Sequence, residues 1–224
     1  MPTWPRTSFL GQLSDDTRDA VLRLGTRRRH SAGETIIQEG APSSYAVILL
    51  TGLYKVVGLT EDGREALLAV RIGGDLVGEL GLADGEPRIA TVRAASAADV
   101  IRIGERDYRA MLDTYSDANK AVSKAMADKL RSASRRRVEF ATCPTPVRVA
   151  RVLQELAEAH GVRRGSEILV GVTLTQTELA ALVGTTGPTI HRVLGEMRAN
   201  GILATGYRNI RVLDEEGLDE LARM

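Results

Sequence analysis

The 224-residue sequence predicts an α+β fold in three parts: an N-terminal antiparallel β-barrel, a long helix, and a C-terminal pair of short helices followed by a two-stranded ribbon. Three observations predict it. Ten of the chain's 22 glycines fall between Gly33 and Gly85. They separate short apolar runs (ETIIQEG, SYAVILLTG, YKVVGL, ALLAVRIGG), the spacing of short strands joined by turns. Residues 105–141 then contain neither glycine nor proline and read as one long helix. Beyond them, LTQTELAALVGTTGPTIHRVLGEMRANGIL carries the capping and turn signals of two short helices.

Composition narrows the class. Hydrophobic residues make up 43% and charged residues 26%, ordinary for a soluble globular protein. No stretch approaches the ~18 apolar residues of a membrane span. The N-terminal MPTWPRTSFLGQLSDD lacks the apolar run of a signal peptide. A cytoplasmic protein with no membrane partner is expected. The single cysteine, Cys143, excludes an internal disulfide and a cysteine-based metal site within one chain. Aromatics are only 4%, which argues against binding by base stacking, and a net charge of +1 means that any polyanion site must be local.

Taken in order, LSDDTRDAVLRLG reads as a short helix with Ser14 as its N-cap. TEDGRE, at 60–65, holds the Asp-Gly pair of a hairpin turn. ATVRAASAADVIRIG ends the strand series, with Val100, Ile101 and Ile103 in its last strand. On the long helix, Val122, Met126, Ala133 and Phe140 recur at helical spacing with Lys129 on the same face. That stripe serves either a partner helix or packing on its own domain. Cys143-Pro144-Thr145-Pro146 breaks the helix, because proline cannot continue the hydrogen-bond ladder. The expected division is 1–113, 114–143 and 144–224, with a new amphipathic helix at 147–161.

In the C-terminal part, Thr175 with Glu178 three residues on forms a capping-box signature. Gly184 suits a turn needing positive φ, and Pro188 stands in the first turn of the second helix, where its missing N–H costs nothing. Leu179, Leu182, Val183, Ile190, Val193, Leu194 and Met197 supply a shared core. Two short helices around a glycine turn are the arrangement in which the second helix enters the major groove. Its exposed face would carry Thr189, His191 or Arg192, and Arg198. Arg192 can read a guanine edge, and Thr186 can contact phosphate. ILATGYRNIRVLD then reads as a wing with Gly206 at its turn. The alternative is a helical hairpin without a DNA role. Residues 141–224 hold nine arginines and ten acids, five of them after the wing. Arg135, Arg136 and Arg137 add positive charge beside this region, either for DNA or as a solvated face.

One stretch remains, GELGLADGEPRIATVRAAS at 78–96. It is either a glycine-rich loop with an internal Glu79–Arg88 ion pair, or an anion cradle. Gly78, Leu80 and Gly81 lie where a short helix would begin, with N–H groups free for an anion. Arg88 can fork onto phosphate oxygens.

Along essentially its whole length, the chain resembles the Crp/Fnr transcription regulators, in their cyclic-AMP receptor protein branch. AGETIIQEG with a later GLYKV is similar to the start of the cyclic-nucleotide-binding jelly roll, and GELGL with PRIATVRA to its phosphate-binding cassette. The resemblance implies a homodimer, paired through the long helix, with a winged helix-turn-helix on a near-palindromic operator. It places the recognition helices about 34 Å apart. It implies a cyclic AMP or other nucleotide effector held by Gly78, Glu79, Leu80, Gly81, Arg88 and Ile89 with Lys129, Ala133 and Ser134, where Glu79 takes the ribose hydroxyl. Thr175, Thr186, Gly187, Pro188, Thr189, His191 and Arg192 are the implied DNA-facing positions, and RNA polymerase is a further expected partner.

The chain departs from the family's pattern. Ile89 stands where a serine or threonine touches the phosphate, Ala133 where a threonine reads adenine, and Lys129 where an arginine sits near the phosphate. Gly187 and Pro188 replace the arginine and glutamate that open many recognition helices, so a different operator is expected. No metal, haem or iron–sulfur cluster is expected, since one cysteine cannot hold a cluster and His30, His160 and His191 fall outside the haem positions. No catalytic constellation stands out, so an enzyme is not expected. The alternatives are an effector-independent regulator with a degenerate pocket, and a nucleotide-sensing subunit that regulates a partner protein.

Overall fold

The computed structural model describes residues 4–63, 65–206 and 209–224. They form two compact units, Met1–Ala133 and Ser134–Met224, so the division falls inside the long helix.

The first unit opens with a 3-10 turn, Leu10–Gln12, and helix α1, Asp15–Arg23. Ser14 caps α1 as expected, its hydroxyl accepting from the Thr17 N–H. Strands β1 (Thr26–His30), β2 (Thr35–Ile37), β3 (Tyr45–Leu49), β4 (Leu53–Leu59), β5 (Glu65–Ile72) and β6 (Leu76–Val77) follow. Helix α2 (Glu79–Asp84) precedes β7 (Thr91–Ala94) and β8 (Ala98–Gly104). The strands make two antiparallel sheets, ordered β1-β8-β3-β6 and β2-β7-β4-β5. The expected barrel is therefore a jelly-roll sandwich that does not close. Among the described residues no strand of one sheet pairs with the other, and the end strands β6 and β2 are only two and three residues long. The β4–β5 hairpin forms as expected, the Gly63 N–H donating to the Thr60 carbonyl at 2.8 Å. Arg64, also part of that turn motif, lies outside the described residues.

Period-two alternation divides the core. Val47 and Leu49 of β3, with Ala98 and Val100 of β8, face the interior between the sheets. Ala46, Ile48, Ile101 and Ile103 face the opposite way, onto Phe9, Leu10, Val21 and the following helices. Both faces of this sheet are covered, which is why its sequence reads as near-continuous apolar runs.

The glycine-free stretch is two helices, α3 (Glu105–Thr114) and α4 (Ser116–Thr142), where one was expected. Tyr115 interrupts them in an extended conformation, φ −114° and ψ 102°. The break lets α3 bury Tyr108 and Met111 while α4 buries Ala118, Ala121 and Val122 in the same cluster. One straight helix carries a single stripe and could not reach that cluster along both segments. Asp117 secures the corner. Its carboxylate accepts from the Ser14 N–H at 3.0 Å, the Ser14 hydroxyl at 2.8 Å and the Thr17 hydroxyl at 2.9 Å. Burial alone would raise this carboxyl, but those hydrogen bonds outweigh it and hold the pKa below the usual range.

The first half of the stripe foreseen on the long helix serves its own unit, while Ala133 and Phe140 are exposed. Val122 is buried, Met126 packs on the same cluster, and Lys129 reaches the start of α2. The large apolar residues that α4 exposes are Leu130, Val138 and Phe140.

The second unit holds the last turns of α4, then α5 (Thr145–His160), β9 (Val162–Arg164), β10 (Glu167–Val170), α6 (Gln176–Val183) and α7 (Gly187–Ala199). Strands β11 (Leu203–Gly206) and β12 (Asn209–Val212) and helix α8 (Glu215–Arg223) complete it. The expected ribbon is half of a larger sheet, ordered β11-β12-β10-β9. Tyr207 and Arg208, at its tip, lie outside the described residues. The acidic run after the wing caps and opens α8. Asp214 accepts from the Gly217 N–H, and Glu215 and Glu216 occupy the first turn, where negative charge meets the positive end of the helix dipole.

Candidate functional site

The glycine cluster forms a small, tightly built corner around α2. Gly78 precedes the helix at φ 84°, and a Cβ there would meet Arg88 Nη1 at 2.7 Å and Ile37 Cδ1 at 3.0 Å. At Gly81 a Cβ would fall 1.9 Å from Ser43 Oγ. Both positions are held to glycine by close approach, one of them by backbone conformation as well.

Glu79 is 1% exposed. Its Oε1 accepts from Lys129 Nζ at 2.7 Å, and the same ammonium donates to the Leu76 carbonyl at 2.9 Å. Oε2 is buried without a partner. Arg88 is 5% exposed. Its Nη1 donates to the Gly78 carbonyl at 2.5 Å and its Nη2 to the Tyr45 carbonyl, while Nε is buried without a partner. Burial pushes this guanidinium's pKa down; its electrostatic interactions with Tyr45 and with the Glu79 carboxylate oppose that. The internal Glu79–Arg88 pair weighed from the sequence does not form. Glu79 is neutralised by Lys129, and the two Arg88 terminal nitrogens serve carbonyls.

The structure thus brings Gly78, Glu79, Gly81, Arg88 and Lys129 into one corner. Leu80 is half-buried, and Ile89, Ala133 and Ser134 are exposed. Sequence reasoning missed Tyr45 and Arg102. Arg88 lies over the Tyr45 ring, 4.8 Å from its centroid, and Arg102 lies 3.6 Å from the same centroid. The only signal for Arg102 was a charge between Ile101 and Ile103, and its neighbour depends on strand pairing that is not local in sequence.

The second unit builds its site around α6 and α7. Thr175 and Glu178 complete the capping box, with the Glu178 N–H donating to Thr175 Oγ1 and the Thr175 N–H to the Glu178 carboxylate. Gly184 ends α6 at φ 69°, and the Phe140 ring packs so closely that a Cβ would meet it at 2.8 Å. Arg148 reinforces this turn, donating to the carbonyls of Val183, Gly184 and Cys143 at 3.1, 3.1 and 2.9 Å. Helix α7 starts after Thr186, whose hydroxyl accepts from the Thr189 N–H, and Pro188 stands in its first turn as expected. Ile190, Val193, Leu194 and Met197 are buried. The opposite face exposes Thr186, Gly187, Pro188, His191 and Arg192, with Thr189 half-buried. His191 and Arg192 are therefore both available. Arg192 pairs with Glu196 one turn on, at 2.6 Å. Arg198 donates to the Thr205 hydroxyl at 2.7 Å, tying α7 to β11. Of the three arginines at the end of the long helix, Arg135 and Arg136 pair with Glu155 and Arg137 is exposed.

A jelly-roll sandwich in one unit and an exposed, capped recognition-type helix beside a sheet in the other are the parts of a DNA-binding regulator. The cyclic nucleotide-binding domain family matches residues 27–115, and the Crp-like helix-turn-helix domain family matches residues 147–221. The chain belongs to the Crp/Fnr family of transcription regulators. It is 27% identical over 191 residues to the CRP-like cAMP-activated global transcriptional regulator of Mycobacterium tuberculosis, covering 85% of each chain. With the cAMP-activated global transcriptional regulator CRP of Salmonella typhimurium it shares 25% identity over 200 residues, 89% of this chain and 95% of that one. A CRP-family transcriptional regulator from Thermus thermophilus superposes with a TM-score of 0.73 at 28% identity, covering 88% of this chain and 97% of that one. Its close relatives are transcription regulators, and the chain is one of them, not an enzyme.

Proposed function

We propose that the protein is a homodimeric, sequence-specific DNA-binding regulator whose operator affinity is set by a nucleotide effector bound at the α2 corner. The observation that carries the effector is the pair of unsatisfied buried atoms, Glu79 Oε2 and Arg88 Nε. A buried polar atom without a partner is costly, and a ribose hydroxyl and a phosphate oxygen would satisfy the two. Cyclic AMP is the leading effector, supported by the relatives it activates. Leu80, Ile89, Ala133 and Ser134 complete the proposed effector-binding set. The effector biases DNA binding only if it binds the DNA-competent state more tightly. The Lys129–Glu79 bond, which joins α4 to α2, is the proposed coupling point.

On the DNA side, Thr186, Gly187, Pro188 and Thr189 approach phosphate while His191 and Arg192 reach base edges. A Cβ added at Gly187 would meet nothing within 4 Å, so the start of α7 leaves its backbone open to the duplex. Thr175 sits at the start of α6, where a helix N-terminus can meet the sugar-phosphate backbone. RNA polymerase is the proposed protein partner and the cytoplasm the proposed compartment. Among the described residues no helix is long and apolar enough to cross a membrane.

A second reading has an observation of its own. Lys129 already neutralises Glu79, and carbonyls already take two Arg88 nitrogens, which favours a regulator that needs no effector. Selecting bound sites from random DNA, with and without cyclic AMP, separates the two. The first reading expects one near-palindromic site enriched far more strongly with cyclic AMP. Equal enrichment in both arms supports the second.

A further inference from the structure

We propose that Arg102 is a second guanidinium of the effector's phosphate site, supplying the contact that Ile89 cannot make. The inference rests on the effector reading above and adds a residue to it. Strand pairing sets the position. Arg102 of β8 lies opposite Val47 of β3, so its side chain shares a sheet face with Val47 and Tyr45, the face that looks toward the second sheet. There its guanidinium lies 3.6 Å from the centroid of the Tyr45 ring, which Arg88 also approaches, at 4.8 Å.

Two like charges therefore lie within 4.8 Å of one ring's centroid, and among the described residues neither pairs with a carboxylate. The nearest buried carboxylate, Glu79, bonds to Lys129. Arg88 has five N–H donors, of which two serve carbonyls, leaving three, including the unpartnered Nε. Arg102 is exposed and stacks on the Tyr45 ring. Burial is the larger cause of the lowered Arg88 pKa, and repulsion from Arg102 adds to it. An anion between the two guanidiniums removes that repulsion and satisfies Nε, and arginine forks match phosphate oxygens in geometry. Ile89, 67% exposed, offers an apolar side chain where a hydroxyl would donate. Tyr45 holds Arg102 by stacking, so less side-chain freedom is lost when the anion arrives.

The test is calorimetry of the full-length protein with cyclic AMP and cyclic GMP, on the wild type and on Arg102→Gln, Arg102→Lys and Arg88→Gln. Adenosine, which lacks the phosphate, is the control. The expected result is a loss of about tenfold or more in cyclic-nucleotide affinity for Arg102→Gln, in line with a lost charge-assisted contact. Arg102→Lys retains part of it, adenosine binding is the same in wild type and Arg102→Gln, and the melting temperatures agree. If Arg88→Gln abolishes binding while Arg102→Gln stays within twofold of wild type, the Arg102 assignment is wrong and the effector reading stands. An equal loss for adenosine assigns Arg102 a structural role and also overturns the proposal. A wild type that binds neither cyclic nucleotide overturns the effector reading and the proposal together.

Discussion

Glu79 is a carboxylate at 1% exposure whose countercharge, Lys129, comes from fifty residues away in sequence. Removing that partner strands a buried charge, which is far worse than removing both. Lys129→Ala is expected to destabilise the first unit by about 2–3 kcal/mol, less than for a fully enclosed pair because the lysine keeps a quarter of its side chain in solvent. Urea unfolding measures this, and a Glu79→Gln/Lys129→Met double variant is expected to recover most of the loss. Arg88→Ala is expected to abolish the effector response. Unchanged DNA binding by that variant with and without saturating cyclic AMP, where the wild type responds, would establish the prediction; a wild-type response would sink it. These residues were legible as a group, since GELGL and PRIATVRA name them. Their partners were not. That Glu79 bonds Lys129 and not Arg88, and that Arg102 stands over Tyr45, follows from strand register and helix docking, which no local pattern encodes.

Helix ends were read well because their signals are local. Ser14 and Thr175 each cap a helix as read, through a hydroxyl that accepts an N–H three residues on, and Gly184 takes the positive φ that the turn demands; Thr186, read as a phosphate contact, caps α7 in the same way. Gly184→Ala adds a Cβ both at φ 69° and against Phe140, so the second unit is expected to lose about 1–3 kcal/mol, read as a lower thermal midpoint. Gly187→Ala, with open space around it, is expected to cost far less and serves as the control. On α7, Arg192 is held in solution only by an exposed pair with Glu196, worth about 0.3–0.5 kcal/mol, so it is free to turn to DNA. Arg192→Ala is expected to cost about 1–3 kcal/mol of discrimination at one base pair per half-site, with non-specific binding barely changed. Competition with single-base operator variants measures it. The elements that were misread depend on long-range contacts. The break at Tyr115 exists because two segments share one core cluster, and the β9–β10 hairpin joins the wing's sheet because β10 pairs with β12.

The proposed homodimer would pair through α4. Its Val122, Met126 and Lys129 are committed to their own unit, so a partner helix must use another face. Leu130, 69% exposed on a long helix, is the residue a second copy would cover. Leu130→Glu is expected to shift the proposed dimer to monomer in sedimentation velocity and to weaken operator binding, because two half-sites would no longer be engaged together. An undisturbed dimer would move the interface elsewhere. Composition, glycine spacing and capping residues were sufficient for the order of β-rich unit, long helix and winged helix-turn-helix, because turns, caps and amphipathic periods are properties of a few adjacent residues. Whether the sheets close, which face of α4 is taken, and which charge answers Glu79 or Arg88 rest on residues tens of positions apart. Those distances are bridged only when the chain has packed, and there the low-dielectric interior makes each choice of partner costly to reverse.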